Sequence, residues 1–216
     1  MRHRRRDRFE EAVLDRANRM RADTSQSLQR YLAESGRLLT LAAEAIPQDT
    51  VDAAVDAIVG ALSACKPLLV CGNGGSAADA MHITGELVGR FLEERRAWKA
   101  ICLSANPAVL TAWSNDYSFA TAMARQVEAY GEPGAVLLGI STSGNSENIL
   151  AAFQRAREMG MVTIALTGEG GGKMAAWVDW LLAVPSRHTP LIQQVHVCIY
   201  HYLCQKIERR MMESDA

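Results

Sequence analysis

After Lys66-Pro67 the chain changes rhythm, and that change constrains the fold more than any other feature of the sequence. Five short, continuously apolar runs (68–71, 100–103, 135–140, 163–166 and 181–184) alternate with stretches of helical periodicity. Runs so short and unbroken suit strands buried on both faces, which means a parallel sheet with helical crossovers. The intervening helices are expected over about 76–89, 107–113, 119–130, 147–159 and 173–177, with a last long helix over 190–212 capped by Thr189. Before the change of rhythm, 9–45 reads helical with a break at Ser35-Gly36. A further helix over 50–63 is capped by Asp49 or Thr50. The expected fold is a three-layer α/β sandwich around a five-stranded parallel sheet with an N-terminal helical extension. It forms one domain over 1–216, with the extension over 1–48 and the core over 49–212.

Composition matters here mainly for what it excludes. At 216 residues and 23.6 kDa, one core buries roughly 70 per cent of the unfolded chain's surface and needs no staples. A net charge of -1 argues against nucleic acid as a partner through bulk charge. Arg2, Arg4, Arg5, Arg6 and Arg8 crowd the N-terminus, but such an arm is ordinarily a solvated end. Five cysteines, an odd number without tight spacing, point to a reducing compartment and hence the cytoplasm. No apolar run approaches the roughly 20 residues that cross a bilayer, so no membrane partner is expected.

Ligands of parallel sheets bind where strands end, and two strand ends are unusual. The first reads Cys71-Gly72-Asn73-Gly74-Gly75-Ser76 and runs straight into a helix. Its glycines let backbone approach an anion, and the helix start supplies unpaired N–H groups. Ala77 stands where a dinucleotide fingerprint needs its third glycine. The second, Ser141-Thr142-Ser143-Gly144-Asn145-Ser146, offers four hydroxyls in six residues. Either loop alone is readily an N-capping turn, whereas both on one sheet favour a phosphate-bearing ligand. A third glycine-rich stretch, Thr167 to Met174, resembles a nucleotide loop. It has Thr167 where that loop needs glycine and Met174 where it needs Ser or Thr, so it reads as a flexible turn.

The helix behind the first loop carries His82 and Glu86, four apart and on one face. Such a pair can share a divalent metal, act as a base with its orienting partner, or form a plain surface hydrogen bond. The last helix adds Gln193, Gln194, His196 and His201. His188 and His196 read as structural.

Taken together these segments carry a family resemblance. The run from Cys71 through His82 to Leu87, then Leu110 to Tyr117, Ser141 to Ser146, Leu166-Thr167-Gly168 and Ile192 to His196 resembles the sedoheptulose 7-phosphate (phosphoheptose) isomerases. These belong to the sugar-isomerase (SIS) domain proteins. The resemblance spans roughly 51–208. It implies a first substrate loop at Asn73, Gly74 and Gly75, a second contact at Asn115 and Asp116, and a phosphate loop at Ser141, Thr142, Ser143 and Ser146. Glu86 and Gln193 are implied as further substrate contacts. It also implies zinc, one per subunit, on His82, Glu86, Gln193 and His201. Glu86 and His201 match the family's acid–base pair, which moves a carbonyl between C2 and C1 through an enediol. A homotetramer with sites at subunit interfaces and a place in lipopolysaccharide heptose synthesis are implied as well. Gln194 stands where the family commonly has Glu, and Pro190-Leu191 replaces a more polar lead-in.

One spacing bears on that ligand set. Gln193 and His201 are eight residues apart, about 12 Å along a helix. Reaching one metal from one straight helix is at the limit of feasibility. Either the first turn is distorted or the two residues serve a site assembled from different subunits. Two rivals remain: a non-catalytic SIS protein that binds the replication initiator, and an isomerase of another sugar phosphate. The former relatives keep the glycine loop but lack the Glu and the final His.

Overall fold

The computed structural model describes residues 27–215. The arginine-rich arm and the expected helix up to residue 26 lie outside the described residues. The chain divides into two units, Met1–Arg37 and Leu38–Ala216. In chain order the described elements are α1 (Leu28–Ala45), α2 (Gln48–Ser63), β1 (Leu68–Gly72), α3 (Gly75–Val88), β2 (Ala100–Cys102) and α4 (Pro107–Asp116). Then follow a 3-10 turn (Phe119–Thr121), α5 (Ala122–Tyr130), β3 (Val136–Ser141), α6 (Glu147–Glu158), β4 (Val162–Thr167), a second 3-10 segment (Glu169–Ala176), β5 (Trp180–Ala183) and α7 (Thr189–Asp215).

All five strands are parallel in the order β2-β1-β3-β4-β5. The period of two splits each apolar run between two cores. Leu68 and Val70 face one side with Val136, Leu138, Ile164 and Leu166, under α2, α3 and α7. Leu69 and Cys71 face the other with Leu137 and Ala165, under α5 and α6. Apolar surface on both faces is what makes the runs continuous. This is the expected three-layer sandwich. Strand order reverses between β1 and β3, so their carboxyl ends open the crevice in which such sheets hold ligands.

Three local expectations fail for physical reasons. The break at Ser35-Gly36 is absent and α1 runs through it, because one helical glycine costs only about 1 kcal/mol. Ser35 donates back to the Tyr31 carbonyl at 2.9 Å instead of ending the helix. Neither Asp49 nor Thr50 caps α2. Pro47 sits at that position with φ -66° and no side-chain bond, and its carbonyl accepts from Thr50 N and Val51 N. The helix expected over 173–177 is a 3-10 segment broken by Gly170, Gly171 and Gly172, all at positive φ.

Candidate active site

The first loop and the hydroxyl loop meet at the β1/β3 crevice, where Gly72 pairs with Ile140. Asn73, Gly75, Ser76, Ser141, Thr142, Ser143, Ser146, Thr189 and Gln193 line a cavity of about 230 Å³ there with Ile140. Three helices begin at its wall: α3 at Gly75, α6 at Glu147 after Ser146, and α7 at Thr189. Each brings the positive end of its helix dipole to the cavity, which favours an anion there. No lining residue carries a formal charge. Ser141 Oγ lies 3.0 Å from Ser146 Oγ and 3.4 Å from Ser143 Oγ, which gathers the hydroxyls into one cluster. Thr142 and Thr189 hydroxyls approach to 3.4 Å across the mouth.

Two close approaches require glycine. A Cβ on Gly75 would collide with the Gln193 side-chain amide, and one on Gly144 (φ 64°) would collide with the Gly171 carbonyl. The second contact shows what the third glycine-rich stretch does. Met174 N donates to the Gly144 carbonyl at 3.0 Å and Lys173 N to Asn145 Oδ1 at 3.1 Å, so the 3-10 segment backs the hydroxyl loop.

About two turns along α3 lies a cluster of a different character. His82 Nε2 and Glu86 Oε1 are 2.9 Å apart. His201 on α7 presents its ring edge-on to His82 at 5.1 Å between centroids. Ligand atoms of His82, Glu86 and His201 all lie within 4.8 Å of one another. Tetrahedral zinc at about 2.0–2.1 Å from its ligands wants them roughly 3.4 Å apart, and two imidazoles with a carboxylate are a fitting donor set. The residues therefore fit such an ion with small rotamer changes. Behind the cluster, the buried Tyr200 hydroxyl is 3.0 Å from His82 Nδ1. Burial raises Asp79 beside it, against the pull of the Tyr200 hydroxyl and of His82. Burial, then the Asp79 charge, pushes Tyr200 up to about 12.

A buried ion pair secures this end of α3. Arg95 and Glu208 side chains are 4% and 3% exposed and meet at 3.1 Å. Arg95 donates to the carbonyls of Glu86, Leu87 and Gly89 at 2.7, 3.0 and 2.9 Å, closing the carboxyl end of α3. Glu208 accepts from the amides of Phe91, Leu92 and Glu93. Burial raises the Glu208 carboxyl, but these amides and Arg95 outweigh it and hold it below the usual carboxylate range.

A cavity built for phosphate beside a His/Glu cluster, on a parallel α/β sheet, also agrees with known proteins. A SIS-domain family model matches residues 30–168. A phosphoheptose isomerase of Crocosphaera subtropica is 51% identical over 144 residues, 67% of this chain and 74% of that protein. The chain belongs to the phosphoheptose isomerase family. The solved phosphoheptose isomerase of Neisseria gonorrhoeae superposes with a TM-score of 0.79 at 40% identity, covering 84% of this chain and 97% of that one. That of Francisella tularensis gives 0.81 at 38%, covering 84% and 96%.

For a phosphoheptose isomerase the residues singled out in the sequence divide into three groups. Asn73, Gly75, Ser141, Thr142, Ser143, Ser146 and Gln193 share the cavity, and Gly74 (φ 56°) forms the turn that opens α3. His82, Glu86 and His201 share the cluster. Asn115 and Asp116 end α4, exposed and bonded to each other at 2.9 Å, and neither lines the cavity. Gln193 and His201, eight residues apart on α7, fall in different groups within one chain. One chain brings His201 to Glu86 while Gln193 sits against Gly75.

Sequence reasoning missed Asn148, Asp79 and Tyr200. Asn148 is buried and exchanges two 2.8 Å bonds with Asn73, bracing the first loop on α6. Its signal, an Asn just inside a helix, is indistinguishable from a solvated one. Asp79 and Tyr200 stand three residues before His82 and one before His201, a local signal that went unused. His196 is structural as expected: fully buried, with Nε2 3.1 Å from the Thr167 carbonyl, and held down to about 4 by burial.

Proposed function

We propose that this chain interconverts sedoheptulose 7-phosphate and glycero-manno-heptose 7-phosphate. The observation that carries this reading is that α3 bears both regions. Gly75 and Ser76 line the cavity and Glu86 belongs to the cluster, about 16 Å of helix rise from first to last, with His82 between. A phosphate held at the cavity lets an open-chain sugar run along α3, so that its carbonyl end reaches the cluster.

The residues then have definite tasks. The hydroxyls and amides of the cavity bind the phosphate and orient the chain. The Glu86 carboxylate takes a proton from C1 of the ketose, leaving an enediol, and exchanges it with solvent before a proton returned at C2 completes the aldose. His201, beside Glu86, passes the hydroxyl proton between O1 and O2. Zinc at His82, Glu86 and His201 would supply carbonyl polarisation. A carboxylate that holds a cation is a weaker base, so Glu86 cannot serve both roles fully at once. Gln193 then acts from the cavity wall or as a ligand at a neighbouring subunit's cluster.

The same reading takes the chain as one SIS domain whose active form is a homotetramer with sites at its interfaces. Exposed Asn115 and Asp116, beside exposed Tyr117 and Phe119, suit contact with a neighbouring copy and its bound sugar. Five free cysteines are consistent with the cytoplasm, and among the described residues no helix is long and apolar enough to cross a membrane. Supply of heptose for lipopolysaccharide is the corresponding place in metabolism.

The test is turnover of sedoheptulose 7-phosphate with and without a chelator. Conversion to the aldose is expected, and an unreactive heptulose beside a reactive shorter ketose phosphate would move the assignment to another isomerase. Mixing inactive Asp116→Ala chains with inactive Glu86→Gln chains tests sharing. Recovered activity is expected, and none would place each site within one subunit.

A further inference from the structure

The His82 ring carries two demands that one proton cannot meet. With Glu86 as a carboxylate, Nε2 at 2.9 Å from Oε1 donates to it, so in a neutral ring Nδ1 is the acceptor and Tyr200 donates its hydroxyl proton there, at 3.0 Å. A cation requires the reverse. Nε2 must give up its proton to become a ligand, Nδ1 must take one, and Nδ1–H then needs an acceptor. The tyrosine oxygen can be that acceptor only if its own proton goes elsewhere.

The structure provides the place. Asp79 lies one helical turn before His82 on α3, against the Tyr200 hydroxyl. Its Oδ2 is buried and makes no hydrogen bond among the described residues. A buried carboxylate oxygen left without a partner is costly, and here the nearby hydroxyl can turn to it. Tyr200 itself is 2% exposed and its ring is packed edge-on against both His82 and His201, at 5.3 and 4.9 Å between centroids. The ring is held in place while the O–H direction stays free to change.

We propose that Asp79 and Tyr200 are the positioning pair of His82: the hydroxyl turns to Asp79, its oxygen accepts from Nδ1–H, and Nε2 is presented to a divalent cation held with Glu86 and His201. The inference rests on the reading of that cluster as a metal site. Protons balance, since the one lost from Nε2 to solvent is matched by one gained at Nδ1. Partners of this kind, a carboxylate acting through a hydroxyl on a ligating imidazole, orient the ring and raise its basicity.

The experiment is zinc titration of the metal-free full chain against a chromophoric chelator, with thermal unfolding of each metal-free protein alongside. Tyr200→Phe and Asp79→Ala are each expected to bind zinc about 10–100-fold more weakly than the wild type. Asp79→Asn keeps an acceptor and recovers most of the loss. The double variant Tyr200→Phe/Asp79→Ala is expected to be no weaker than the worse single one, because the two residues act as one chain. Nitrogen-15 shifts of the zinc-loaded wild type are expected to show His82 protonated at Nδ1. Wild-type zinc affinity in Tyr200→Phe, or losses that simply add, overturns the pairing while leaving the metal site intact. A wild type that binds no zinc overturns the metal reading and the pairing with it. If Tyr200→Phe fails to fold, the Asp79→Ala and Asp79→Asn order decides alone, and equal affinities of the two overturn the proposal.

Discussion

The cavity and the cluster share α3 and α7, yet they are built from opposite materials. The cavity has glycine amides, hydroxyls and carboxamides, and no ionisable side chain lines it. The cluster is made of His82, Glu86 and His201, with Asp79 and Tyr200 behind. A phosphate needs dipoles that are fixed before it arrives, and backbone at helix starts is as fixed as a protein offers. A proton transfer needs groups whose charge can change. Two helices hold both sets in register, so binding and chemistry are separable by mutation though not by distance.

The strongest way to break that separation is Glu86→Gln. A loss of roughly 10²–10⁴ in kcat is expected with KM little changed, read from steady-state kinetics; a raised KM at full kcat would make Glu86 a binding residue. Next comes the lock that holds the cluster's end of α3. Glu208→Gln leaves Arg95 buried without its counter-charge and is expected to cost about 3–5 kcal/mol by urea unfolding. Unchanged stability would show that the pair does not hold α3.

On the cavity side, the effects are smaller. His196 ties α7 to the Thr167 carbonyl at the end of β4. Its folded value of about 4 lies below the ordinary 6.5. The unfolded chain therefore binds this proton first, and the stability present above pH 6.5 is lost as pH falls toward 4. About 2 kcal/mol should disappear between pH 7 and pH 5 by urea unfolding. A His196→Gln chain is expected to lose correspondingly less over that range, and an unchanged pH dependence would remove His196 as the cause. Of similar size is Ser141→Ala, which removes one donor to a dianion. KM should rise about 10–100-fold with kcat kept, as for a charged hydrogen bond of about 1.5–3 kcal/mol.

Much of this was legible in the sequence because it depends on backbone. The unbroken apolar runs announced strands covered on both faces, and Gly72, Gly74 and Gly75 announced a chain that must turn and approach closely. The hydroxyls of Ser141 to Ser146 could be read for the same reason, since they follow a strand directly. Expectations failed where tertiary contact outweighed local preference. Gly170, Gly171 and Gly172 read as a flexible turn, but two of them pack against Leu181 and the hydroxyl loop. The Asn73–Asn148 exchange joins residues 75 apart, and the Arg95–Glu208 pair joins residues 113 apart. Neither has a local pattern to reveal it. His201 was named through resemblance, and its meeting with His82 and Glu86 is a product of how α7 packs on α3.

The central claim is that this fold binds a heptose phosphate by its neutral cavity and moves its proton at Glu86. Turnover of sedoheptulose 7-phosphate in deuterium oxide by the wild type and by Glu86→Gln tests it most directly. The account predicts an aldose product carrying deuterium at C2 from the wild type and almost none formed by Glu86→Gln. Undiminished turnover in that variant, or a heptulose phosphate left untouched by the wild type, would contradict it.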